Sequence, residues 1–300
     1  MNEEAAAQGR LALLDVYKRQ LVVIERGSGK VLLTVENVGH PDGIQVDAAK
    51  GYFYWTDMGP HREGEDFFEP DGTIRRCRLD GTENTQLVGG GVIYTPKQLQ
   101  LDHDAGMLYW CDREGGRVMR SRVDGSGLET LVERGSGGAY PRDKLDQCVG
   151  IALDPAHGKL YWTQKGPKKA GLGRIFRAGI DLPEGEQPWN RSDIELLADA
   201  LPEPIDLEID EERGLLYWTD RGAEPDGNSL NRARITATGL EGHEVLVRGF
   251  EETIGLTLCP GDNVAYVSDL SGRVYRIDLE TMERTVLYDQ GQAVTGLVLF

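Results

Sequence analysis

The sequence predicts an all-β protein: a six-bladed β-propeller of four-stranded antiparallel blades, with one blade closed by both termini. Three observations predict it. The run "YFYWTD" (52–57) recurs as "MLYWCD" (107–112), "KLYWTQ" (159–164), "LLYWTD" (215–220) and, weakened, "VAYVSD" (264–269). Trp55, Trp110, Trp162, Trp218 and Val267 are spaced by 55, 52, 56 and 49 residues, a repeat length that points to stacked or radially arranged units. Each run follows one apolar strand and precedes two more, so every unit holds the four strands of a propeller blade.

The units justify themselves in order. In the first, "GIQVD" (43–47) is a strand closing on an acid, and Gly51 supplies the left-handed residue of a hairpin. Tyr52 to Thr56 are all aromatic or β-branched, the residues that favour strands. An unbroken run of this kind suits a strand covered on both faces, and neighbouring blades would provide that cover. The second unit repeats the pattern with "LQLDHDAG" (99–106) and the later strands of "GRVMRSRVDGSGLETLV" (116–132), turned at Asp124-Gly125. "GIALDPAHG" (150–158) and "DLEIDEERG" (206–214) open the third and fourth, and "GRVYRIDLETMERTVLY" (272–288) completes the fifth.

The sixth unit is split. "VTGLVLF" (294–300) matches a first strand, "GRLALLD" (9–15) a degenerate second strand, and "LVVIERGSGKVLLTV" (21–35) the third and fourth. Joining them leaves no open sheet edge, which would otherwise invite aggregation. "LLDVYKRQ" resembles translated adaptor read-through, which sets residues 1–20 apart as a candidate non-native segment. Residues 21–300 are then expected to form a single propeller domain.

Composition narrows the partners. With 39% apolar and 28% charged residues, the chain reads as a soluble globular protein, and its 39 glycines imply frequent turns. Fifty acidic against 33 basic residues leave a net charge of −17, which excludes nucleic acid and anionic membranes as expected partners. No stretch approaches the ~18 apolar residues of a membrane span. An acidic start ahead of a short apolar run is not a secretion signal, so a cytoplasmic monomer is expected. Cys77, Cys111, Cys148 and Cys259 are far apart without a CxxC pair and read as buried small hydrophobes.

"YWTD" at 54–57 and 217–220, with "YWCD" and "YWTQ" between, resembles the YWTD repeats of low-density-lipoprotein-receptor class B modules. The resemblance covers nearly the whole chain and implies a six-bladed propeller, with the motif tryptophans in the core. The best-known members are extracellular, lie beside cysteine-rich modules and bind protein ligands. This chain looks more like the stand-alone microbial YWTD proteins, and one fold carries many activities.

Aligning the innermost strands on their closing acid places Gly43, Gln98, Gly150, Asp206, Gly255 and Gly296 at one position around the ring. Two residues on stand Gln45, Gln100, Ala152, Glu208, Thr257 and Val298. Gln98, Gln100, Asp206 and Glu208 replace small or apolar residues and are expected to project toward the axis, with Gln45, Asp42 and Lys97 nearby. Buried carboxylates need a partner, a proton or a metal. This points to an axial mouth binding a small molecule, sugar or peptide, with a protein partner as a further possibility.

The alternative is a metal-dependent hydrolase resembling the six-bladed calcium-dependent lactonases. Calcium or another divalent cation would sit on Asp206 and Glu208, with His40 as candidate base. Against it, the asparagine ligands of those enzymes have no counterpart on these inner strands.

The loops "DMGPHREGEDFFEPDG" (57–72), "TQKGPKKAGLGR" (163–174), "TDRGAEPDGN" (219–228) and "VERGSGGAYPRDKLDQ" (132–147) gather on one face, where binding residues concentrate on rigid scaffolds. Phe67 and Phe68 are expected to pack on the propeller's own surface, and His40 could approach His61. Lys165, Lys168, Lys169 and Arg174 read as a solvated basic loop. "GGG" (89–91) and "GSGG" (135–138) read as turns, since no helix follows a strand there as a phosphate loop requires.

Overall fold

The computed structural model describes residues 9–60, 67–135 and 143–300. β1 (Arg10–Asp15), β2 (Gln20–Glu25) and β3 (Val31–Glu36) open the chain. Blade 1 follows as β4 (Pro41–Asp47), β5 (Tyr52–Asp57), β6 (Thr73–Arg78) and β7 (Thr85–Val88). Blade 2 is β8 (Pro96–Asp102), β9 (Met107–Asp112), β10 (Arg117–Arg122) and β11 (Glu129–Glu133). Blade 3 is β12 (Cys148–Asp154), β13 (Lys159–Gln164), β14 (Gly173–Gly179) and β15 (Glu195–Leu201).

Blade 4 is β16 (Pro204–Asp210), β17 (Leu215–Asp220), β18 (Ser229–Thr236) and β19 (Gly239–Arg248). Blade 5 is β20 (Thr253–Cys259), β21 (Val264–Asp269), β22 (Arg273–Asp278) and β23 (Arg284–Asp289). β24 (Val294–Leu299) then pairs with β1, giving blade 6 the order β24-β1-β2-β3. All these pairings are antiparallel, so the predicted six-bladed propeller, closed by both ends of the chain, is the fold observed. The strand expected at 9–15 is β1, and its Leu11 to Asp15 are buried.

Adjacent residues of a strand point to opposite faces, and this explains how one motif fills two interfaces. Tyr54 shares a buried cluster with Trp110 of the next blade, while Trp55 packs on Ala12 and Val23 of the preceding one. Tyr109 meets Trp162, and Tyr161 meets Trp218, in the same manner. The motif tryptophans are at most 1% exposed.

In blades 1 to 5 the pairing of the first two strands slips at equivalent places, for example between Pro41 and Ile44 and between Pro204 and Leu207. Such a bulge re-aims the side chains it carries. It also brings the backbone against the next blade, so a Cβ on Gly150 would lie 1.9 Å from the Ile205 carbonyl oxygen. Glycine is required there by close approach.

Candidate functional site: the two ends of the axial channel

The motif itself is structural, residue by residue. The Trp55 indole donates to the Val38 carbonyl at 2.9 Å. The tyrosines of blades 1 to 4 stand directly opposite Arg76, Arg120, Arg177 and Arg232, and the Arg177 and Arg232 guanidinium groups lie over the rings of Tyr161 and Tyr217. The third residue stitches blades together: Thr163 Oγ1 accepts from Gly150 N at 2.7 Å and donates to Ile205 O of the next blade at 2.9 Å. Thr219 repeats this with Asp206 N and Ile254 O, and Ser268 with Gly255 N and Thr295 O. The closing aspartate clamps the entering loop, as when Asp220 Oδ1 accepts from Glu203 N and Gly222 N.

The seven residues expected at the axis separate into two layers. The upper layer faces the loops that enter the innermost strands. There Lys97 Nζ donates to Asp42 Oδ2 at 2.5 Å and approaches Met58 Sδ at 3.1 Å, while Gln98 Nε2 donates to Asp42 Oδ1 at 3.2 Å. All three polar residues are buried. Desolvation pulls the Lys97 ammonium below its ordinary value, and the Asp42 carboxylate offsets part of that.

The lower layer lies nearer the hairpins between first and second strands. Gln45 Nε2 donates to Leu99 O at 3.1 Å and to Gln100 Oε1 at 3.2 Å, and Gln100 Nε2 reaches Glu208 Oε1 at 3.4 Å. Desolvation pushes the Glu208 carboxyl up to about 7, against the lowering effect of Gln100. Glu208 and Gln100 line a cavity of about 150 Å³ at this end.

Asp206 is not shared with Glu208 as a pair of free ligands. Its carboxylate accepts from Leu207 N at 3.0 Å and from Leu256 N of blade 5 at 2.9 Å. It occupies the glycine position, where its carboxylate is fixed to the backbone of the neighbouring innermost strand. Burial and then the nearby Glu208 carboxylate hold Asp206 well above the usual carboxylate range. Among the described residues, no group of three or more His, Cys, Asp and Glu side chains is arranged to hold a metal.

His40 donates from Nδ1 to Gly59 O at 2.7 Å, and with Val16, Tyr17, Arg19, Met58 and Phe67 it lines a cavity of about 390 Å³ at the upper face. His61, its expected neighbour, and residues 136–138 of "GSGG" lie outside the described residues. Phe67 packs as expected on the propeller, beneath Arg113, with its carbonyl accepting from Thr95 Oγ1. Cys77, Cys111 and Cys148 are buried and free; Cys259 is half-buried beside Asp262.

No family model matches the chain. A relative from Pyricularia oryzae, named Low-density lipoprotein receptor-related protein 1, is 44% identical over 272 residues, covering 86% of this chain and 84% of that protein. The chain belongs to the YWTD-repeat propeller family. A second relative, from Cochliobolus heterostrophus and named 3-hydroxyacyl-CoA dehydrogenase-like protein LAM1, is 38% identical over 271 residues. The alignment covers 86% of this chain but 56% of that protein. Among solved structures, a chain from the nidogen/laminin complex superposes with a TM-score of 0.74 at 20% identity, over 97% of this chain and 98% of its own length. That likeness is one of fold.

Within the YWTD repeat, the residue directly after the motif forms a ring at the upper mouth: Val16, Met58, Arg113, Lys165, Arg221 and Leu270. Three consecutive blades place cations there. Lys165, read from sequence as part of a solvated loop, is 6% exposed. Its Nζ lies 3.0 Å from Glu203 Oε1, which Arg221 also approaches at 2.9 Å. Glu203 Oε2 accepts from Lys169 N at 3.1 Å, and Lys168 reaches Glu252 at 3.7 Å.

Burial would raise the Glu203 carboxyl, but Arg221 and Lys165 overcome it and hold the group below its usual range. Arg113 is paired with the fully buried Glu114 at 2.6 Å and acts on both Lys97 and Lys165. The sequence reading missed Arg113, Glu114 and Arg221. Reading the post-motif position as one aligned column is the signal that finds the two arginines.

Proposed function

We propose that this YWTD propeller is a ligand-binding protein whose upper mouth receives an anionic group on a small molecule, sugar or peptide. One observation carries the reading: Lys97, Arg113, Lys165 and Arg221, from three consecutive blades, gather at one mouth of a chain whose net charge is −17. Asp42, Glu114 and Glu203 are paired with them and hold the four cations in place around the mouth. The adjoining cavity with Tyr17, Met58 and Phe67 supplies apolar and aromatic surface for the body of the ligand. Local positive potential in an acidic molecule concentrates anions at that one place.

Isothermal titration with glucuronate and N-acetylglutamate, against glucose and N-acetylglutamine, tests the reading. The acids are expected to bind, the neutral partners to bind at least about tenfold more weakly, and Arg113→Gln to remove the difference. Equal or absent binding of acid and neutral forms overturns it. A melt with calcium and with chelator runs alongside. A calcium-dependent rise that vanishes in Asp206→Ala would favour the hydrolase alternative instead.

A further inference from the structure

A groove of about 680 Å³ runs between blades 3 and 4 on the opposite side of the molecule from that mouth. Its walls come from successive strands of both blades. Tyr161, Arg177 and Glu195 line the blade 3 side, and Ile209, Ile235 and Ala237 the blade 4 side. Four strands at ~4.8 Å separation make such a groove roughly 14 Å long. Its volume falls in the usual range for small-molecule sites.

The groove does not end at the blades. Ile209 and Glu211 line both it and the 150 Å³ cavity that holds Glu208 and Gln100. The two spaces therefore adjoin across Ile209 and Glu211, with an apolar trough beside the lower mouth of the channel.

Charge selects the occupant. Among the described residues, five carboxylates border the two adjoining spaces: Asp154, Glu195, Glu208, Glu211 and Glu212. The two permanent cations there, Arg177 and Lys159, are both bound to Glu195, at 2.5 and 3.6 Å. Arg177 is further occupied by the Thr236 and Ala237 carbonyls at 2.9 and 3.0 Å. His157 is held by Asp154 at 2.9 Å, and Arg213 of the adjoining turn by Asp210 at 2.6 Å. Glu211 and Glu212 stand exposed at the inner end.

We propose that this depression binds an organic cation with an extended apolar body, an alkyl- or arylammonium compound. Its ammonium group lies at the inner end with Glu211 and Glu212, beside Glu208, and its apolar portion lies along Ile209, Ile235 and Ala237. The carboxylates supply charge-assisted hydrogen bonds to the ammonium. Burial of the apolar body supplies the remaining affinity. This site is independent of the upper mouth.

The test is calorimetric titration of the intact protein with octylammonium chloride, with sodium octanoate as the control of equal length and opposite charge. Octylammonium is expected to bind and octanoate not. Glu211→Gln/Glu212→Gln, both at exposed positions, is expected to weaken binding about tenfold. Ala237→Trp is expected to block the groove, and Ala156→Trp, on the other wall, serves if the first variant melts abnormally.

Arg113→Gln is expected to leave octylammonium binding unchanged, which separates this site from the upper mouth. Absence of binding, equal binding of octanoate, or undiminished binding in a correctly folded tryptophan variant overturns the proposal.

Discussion

Glu203 and Glu208 lie five residues apart in blade 4, yet burial acts on them with opposite results. At the upper mouth, Lys165 and Arg221 stand within 3.0 Å of Glu203 and hold its carboxyl below the usual range. At the lower mouth, Glu208 has the Gln100 amide at 3.4 Å and is pushed up to about 7. Desolvation is common to both. The difference is that a full charge nearby can offset desolvation, and an amide dipole offsets only part of it. One end of the channel is therefore locked by ion pairs across blades, and the other can change its protonation near neutrality.

The largest expected effect comes from breaking the upper end. Glu203→Gln leaves Lys165 and Arg221 buried without their carboxylate, and removing one member of such a group costs about 3–5 kcal/mol. Urea unfolding measures this directly. A loss below about 1 kcal/mol would mean that the network is solvated and the contrast with Glu208 overstated.

Glu208→Gln is expected to act in the opposite sense. A carboxyl whose folded value is raised contributes stability that is complete below its unfolded value, near 4.3, and is lost as pH rises through about 7. Glutamine does not titrate, so the variant should gain on the parent protein by roughly 2 kcal/mol between pH 5 and pH 8, allowing for partial exposure. Melting curves across that window decide it; a constant difference between the two proteins would show Glu208 titrating normally.

The smallest effect sharpens the comparison at a single hydrogen bond. Gln100→Leu removes a donor that favours the ionised form of Glu208, worth about 1 kcal/mol. The Glu208 titration, followed by carboxyl carbon-13 resonance, should then move upward by roughly 0.5–1 pH. An unchanged midpoint would remove Gln100 from the account.

Much of this was legible along the chain. The spacing of Trp55, Trp110, Trp162 and Trp218 stated the number and size of the blades. The YW run stated that both strand faces are covered, because alternation sends Tyr54 to one neighbour and Trp55 to the other. The aligned inner strands brought Asp42, Lys97, Gln98, Gln45, Gln100 and Glu208 to one axial neighbourhood, which the structure parts into two layers. What the sequence did not show is that the Asp206 carboxylate is bound by Leu207 N and by Leu256 N of the next blade, a partner set by blade packing.

Strand and turn are local properties, and the repeat copies them along the chain, so the sequence by itself determined the blades and their order, and the matching half-units at its two ends pointed to closure. Charge state is not local. Lys97 meets Asp42 from 55 positions away and Lys165 meets Glu203 from 38. Only the assembled ring decides which of these ions finds a partner before water is excluded. That decision, made by packing blade against blade, separates the ion-paired upper mouth from the acidic groove below.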